Sequence, residues 1–184
     1  MDPARFPDGM ERRAAIELRV SAGSGGTGRR LEGHAAVFGA PAKIGSFTET
    51  IRAGAFSHSL AASGKDVLAL VDHDPSRLLA RTGSGTLRLA EDSRGLAFEI
   101  DVPDTQLGRD ILAMAERRDL GGMSFSFRAT DEHWYAADRR ELRAVDLFEV
   151  SVVQAFPAYS QTSISARSRV DSTPTFHSRR LIAI

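Results

Sequence analysis

Short alternations of apolar and polar residues recur along this chain, separated by polar turns, and only one stretch has room for a long helix. A period of two is the signature of a strand with one buried face. In the clearest case Leu96, Phe98, Ile100 and Val102 face one way, and Glu99 and Asp101 face the other. Thr86–Ala90 repeats the pattern, and Leu78–Arg81 adds a shorter piece. Ala14–Val20 and Leu31–Phe38 read as two strands joined across the glycine-rich segment 21–28. Val67–Val71 is a nearly unbroken apolar run that stops at Asp72-His73-Asp74-Pro75, where proline forces a turn. Residues 122–129 and 146–153 are two further strands, with a charged arm around Trp134 and Tyr135 between them. Phe56 and Leu60, four apart, suit one or two helical turns. The long helix is expected from Asp104 or Thr105 to about Arg118, with Leu107, Ile111, Met114 and Ala115 as its apolar stripe. These elements predict an α+β domain, with a β-barrel-like antiparallel core and a few flanking helices. The expected division is a leader over 1–13, the domain over 14–166 and a basic tail over 167–184.

Composition narrows the chemistry. The 184 residues include no cysteine, which excludes disulfides, thiolate catalysis and cysteine-bound zinc. The 24 basic and 24 acidic residues cancel, which argues against a protein that coats nucleic acid. No apolar run approaches the roughly 20 residues of a membrane helix. The first 30 residues hold no apolar stretch of the kind that marks a secretory signal. The segment 21–28 lacks the GK[ST] ending of a phosphate loop, so no cofactor is expected. Asp72, His73 and Asp74 offer a weak metal constellation, but no recognisable spacing supplies further ligands.

Three residues stand out as candidates for catalysis. His73 ends a buried strand between two carboxylates, where the tuning of an imidazole pKa is possible. The blander alternative is a strand-end histidine held by its neighbours. Ser124 begins a strand just after Gly121 and Gly122, on the face it shares with Ser126 and Arg128; Met123, Phe125 and Phe127 take the opposite face. The glycines there leave room for another backbone, such as a substrate. Glu149 shares a strand face with Ser151 and Val153, and Asp146 at the strand start is its rival as a third member. Serine, histidine and carboxylate are the nucleophile, base and orienter of acyl transfer. His34, His58, His133 and His177 lie in a strand, a short helix, the charged arm and the tail, and none has such neighbours.

Six blocks in order carry a resemblance. They are GHAAVFG (33–39), FTETIRAGAFSHSL (47–60), VLALVDHD (67–74), GTLRLAEDSRGLAFEIDVPDT (85–105), GRDILAMAERRDLGGMSFSF (108–127) and DLFEVSVVQAFPAYSQT (146–162). Together they resemble the prohead (capsid maturation) proteases of tailed bacteriophages, serine proteases similar in fold to the herpesvirus assemblins. The resemblance implies an assemblin-like fold and a catalytic histidine in the VDHD block, here His73. It implies a nucleophilic serine in the GMSF block, here Ser124, and an acidic third member in the EVS block, here Glu149. Assemblins use a second histidine as third member. The family often has glycine where this chain has Ser126. The implied activity is that of a serine endopeptidase. Its implied substrates are scaffold, a scaffold-like extension of the capsid subunit, and the protease itself. It would act inside the prohead, in the host cytoplasm during assembly, and as a homodimer. The alternative is a non-catalytic β-barrel module that binds capsid or scaffold.

Overall fold

The computed structural model describes residues 9–15, 18–22 and 29–155. Most of the glycine-rich segment and the tail placed at 167–184 lie outside the described residues. Eleven strands and two α-helices are described. The strands are β1 (Glu11–Ala15), β2 (Leu18–Ala22), β3 (Arg29–Val37), β4 (Ala42–Ile44), β5 (Phe47–Ile51), β6 (Leu68–Val71), β7 (Asp74–Arg81), β8 (Leu87–Glu91), β9 (Gly95–Asp101), β10 (Gly122–Ala136) and β11 (Arg139–Val153). The helices are α1 (Ser57–Ala61) and α2 (Gln106–Arg117).

The strands form two sheets. One is antiparallel, in the order β2-β3-β9-β8. The other has seven strands, in the order β1-β10-β11-β5-β4, with β6 on β11 and β7 on β6. Strands β5 and β6 both run parallel to β11 and pair with different stretches of it. The α+β class holds; in place of the expected β-barrel-like antiparallel core there are two sheets, of which only one is antiparallel throughout. The larger sheet is mixed and open among the described residues, because β5 and β6 return to β11 only through long crossovers, which place strands in parallel. The apolar faces of both sheets meet in one core with Phe56, Ile111, Leu112 and Ala115. Phe125 stacks on Phe127 and meets Phe56 edge-on. Fully burying one such side chain contributes about 1.5–3 kcal/mol.

The helix α2 begins where its sequence predicts. Thr105 caps it, its hydroxyl accepting from the N–H of Gly108. The long hairpin of β10 and β11 is the larger departure from expectation. Two fifteen-residue strands take the place of two short strands and a separate arm. Register shifts follow Ser126, Ala129, Asp131 and Trp134, so a continuous ladder loses its alternation in the sequence. Gly121 immediately precedes β10, and a Cβ there would sit 2.2 Å from the carbonyl oxygen of Ala155. The backbone that this glycine admits is therefore the chain's own, not a substrate's.

Residues 11–13, expected in a loose leader, are strand. Glu11 and Arg13 are buried in β1 with Glu49 of β5 and Arg140 of β11. Arg13 forks onto Glu49 with bonds of 2.6 and 2.8 Å, and also donates to Glu11 at 2.7 Å. Arg140 donates to Glu11 at 2.6 and 2.8 Å, to Glu49 at 3.0 Å, and to Glu132. Burial pushes the Glu11 carboxyl upward, but the Arg140 bond and the two guanidinium charges outweigh it, leaving its pKa below 4.5. The two arginines balance Glu11 and Glu49, so this square fixes β1 beside β10 without a net buried charge.

Removing one partner strands the others without water. Arg140→Ala is expected to cost about 3–5 kcal/mol, the usual penalty for breaking a buried pair. Arg143→Ala, at a partly exposed pair with Glu141, should cost under about 1 kcal/mol. Urea unfolding of the two variants measures both; equal losses would deny the square its structural role.

Candidate active site

The site forms where β6 ends over β11. Val71 pairs with Asp74, so Asp72 and His73 are the two-residue loop of the β6–β7 hairpin. Both have positive φ, 52° and 61°, as the tight turns that join twisted strands require. That conformation is uncommon for residues with a Cβ and is held here by bonds on every side. The Asp72 N–H donates to the Val152 carbonyl at 2.9 Å. The Asp72 carboxylate accepts from the Gln154 N–H at 2.9 Å and from Arg77 at 2.8 Å. Asp74 accepts from the Ser76 N–H and hydroxyl. The two carboxylates flanking His73 thus brace the turn, and neither is aimed at a shared metal position with it.

The turn brings the His73 ring to Glu149. Nδ1 lies 2.5 Å from Oε1 of that carboxylate. Glu149 sits in β11 opposite Ser126 of β10, two residues along the ladder from the Ser151–Ser124 pair. All four side chains share a face. Ser126 donates its hydroxyl proton to Glu149, and its oxygen lies 3.4 Å from Nδ1 of His73. Arg12, opposite Ser126 in β1, donates from Nε to the Ser126 oxygen at 3.2 Å. Ser151 donates to Oε2 of Glu149 at 2.5 Å. Burial pushes the Glu149 carboxyl upward, but the bond and charge of His73, then the two serine hydroxyls, outweigh it. Its pKa falls below 4.5, so it is a carboxylate at neutral pH.

The protons around the ring follow from that charge. An ionised carboxylate only accepts, so neutral His73 must carry its proton on Nδ1. Nε2 is then unprotonated and is the basic end of the ring. Ser124 lies on the same face but is not bonded to the ring: its hydroxyl donates to the Arg13 carbonyl at 2.7 Å. Ser124, Ser126 and Ser151 are all buried.

Of the sequence candidates, His73 and Glu149 are in direct contact, Ser124 lies two residues along the ladder from the Glu149 pair, and Asp146 pairs instead with Lys65. His34 pairs with Asp92 at 2.8 Å, and His133 meets the Tyr135 ring. Sequence reasoning assigned no role to Arg12, Arg13 or Ser151. The signal for Ser151 was available, since it lies two residues from Glu149 on the same strand face. Nothing local marked residues 11–13 as buried, because Glu49, Ser126 and Arg140, which meet them, are more than 30 positions away.

Comparisons with known proteins agree with this architecture. The solved structure of the bacteriophage T4 capsid assembly protease, gp21, superposes with a TM-score of 0.53 at 9% identity, covering 79% of this chain and 94% of that one. That likeness is one of fold. No curated protein matches the sequence. The family model described as the caudovirus prohead serine protease matches residues 15–175, which takes in the turn with His73, Ser124 and Glu149. The chain therefore belongs to the caudovirus prohead serine proteases.

Proposed function

We propose that this serine protease cleaves capsid assembly proteins by Ser-His-acid chemistry, with Ser124 as nucleophile, His73 as base and Glu149 as orienter. The observation that carries it is the 2.5 Å contact between His73 Nδ1 and an ionised, buried Glu149. That contact fixes the tautomer and leaves Nε2 as proton acceptor. In the reactive arrangement Ser124 would exchange its bond to the Arg13 carbonyl for one to Nε2. Its oxygen then attacks the scissile carbonyl while its proton passes to Nε2. The imidazolium, stabilised by Glu149, gives that proton to the leaving amine. Water, deprotonated by the same ring, attacks the acyl-enzyme and frees the serine.

The proposed substrates are scaffold or a scaffold-like extension of the capsid subunit, and the protease itself, cut in the prohead within the host cell. The two-sheet core is proposed to be assemblin-like, and the protease to work as a homodimer. The likeness to the T4 capsid assembly protease supports capsid assembly proteins as the substrates. Ser126 is the rival nucleophile because of its 3.4 Å approach to Nδ1. Its proton is committed to Glu149, however, and it sits on the acid's side of the ring rather than the basic side. Family resemblance also favours Ser124.

Co-expression with capsid and scaffold proteins tests the assignment. Ser124→Ala should abolish cleavage, and His73→Ala should lower the rate by several orders of magnitude, up to the roughly 10⁶-fold lost when a triad's histidine is removed. Ser126→Gly should lower the rate without abolishing cleavage, since it removes a donor to Glu149 but not the nucleophile. Persistent products from Ser124→Ala, with none from Ser126→Gly, would transfer the role to Ser126.

Stability should respond to pH through the same carboxylate. A depressed folded pKa contributes stability that is present above the unfolded value of about 4.5 and is lost as pH falls through the folded value. Glu149→Gln should therefore flatten the fall of unfolding free energy below pH 4.5 relative to the wild type. Identical slopes would mean that Glu149 is not held ionised in the folded chain.

A further inference from the structure

We infer that Ser151 is a positioning residue that locks the base and its acid partner together. The inference rests on the reading of His73 and Glu149 as base and orienter. Ser151 is fully buried in β11, and its one hydroxyl bonds to both residues. Its oxygen accepts the backbone N–H of His73 at 3.2 Å. Its hydroxyl proton goes to Oε2 of Glu149 at 2.5 Å.

The direction of each bond is forced. A backbone N–H only donates, so the Ser151 oxygen accepts there. The ionised Glu149 only accepts, so the hydroxyl proton points to it. One hydroxyl thus ties the main chain of the left-handed turn to the carboxylate that the ring must meet. The bond to Oε2 leaves Oε1 for Nδ1 of His73. Without it, the carboxylate is free to rotate about its terminal torsion, which is broad and roughly two-fold. The turn would also lose the bond that anchors the amide of His73, a residue with φ of 61°.

The loss would appear as misalignment, since an error of about 1 Å in a catalytic group can cost on the order of 100-fold in rate. It would also appear in the ring itself. With Glu149 mispositioned, neutral His73 no longer has its proton confined to Nδ1.

Two measurements on the full chain test this. Nitrogen-15 NMR of the His73 imidazole should show a proton on Nδ1 in the wild type and in Ser151→Thr. Ser151→Ala should show a mixture of tautomers. The rate of phosphonylation of the active serine by a fluorophosphonate probe, read by intact mass, should fall about 10- to 100-fold in Ser151→Ala and return to near wild type in Ser151→Thr. Should Ser151→Ala fail to fold, Ser151→Cys, with its weak donor, serves the same comparison. A wild-type tautomer and rate in a folded Ala or Cys variant would overturn the role of Ser151. Undiminished phosphonylation of His73→Ala would instead overturn the underlying reading of His73 as base.

Discussion

A carboxylate buried under a histidine ring is costly unless its charge is fully answered, and Glu149 is answered three times. His73, Ser126 and Ser151 all converge on it. Desolvation alone would push a proton onto Glu149 and make it a possible donor. The converging bonds reverse that tendency and keep it an acceptor. The placement of the proton on Nδ1, the basic character of Nε2 and the function of the turn all depend on this one balance. Such a balance is sensitive to geometry, because each donor acts over less than an ångström of tolerance.

The fold supplies that geometry through β11. This strand pairs with β10 along its length, with β5 near its start and with β6 near its end. It therefore carries Glu149 and Ser151, sets the register of the serines across from them, and receives the turn that bears His73. At its other end Arg140 joins the charge square that holds β1. Strand β1 in turn places the Arg12 side chain at Ser126 and the Arg13 carbonyl at Ser124. The ion cluster and the candidate site are thus two ends of one strand network. The cluster's contribution is to position a neighbour of the proposed nucleophile as well as to stabilise the sheet.

Much of this was legible in residue order. Alternation put Ser124, Ser126, Glu149 and Ser151 on polar faces, and the Asp72–Pro75 segment announced a turn that exposes His73 at the end of a buried strand. Helix α2 and its Thr105 cap followed from spacing and from a hydroxyl in the right place. The parallel pairing of β5 and β6 with β11 was not legible, because single-strand periodicity carries no information about partner or direction. The continuity of β10 and β11 was hidden by bulges, each of which resets the alternation. Glu11 and Arg13 looked like surface charge because a short-range reading cannot see that Glu49 and Arg140 neutralise them. The two glycines before Ser124 suggested space for a substrate, whereas the nearest approach to Gly121 is made by Ala155.

The most direct test is a crystal structure of the chain after reaction with a fluorophosphonate. The account predicts a phosphorus–oxygen bond at Ser124, with Nε2 of His73 within hydrogen-bonding reach of the adduct and Nδ1 still on Glu149. An adduct on Ser126, or a ring swung away from Glu149 in the reacted protein, would contradict it.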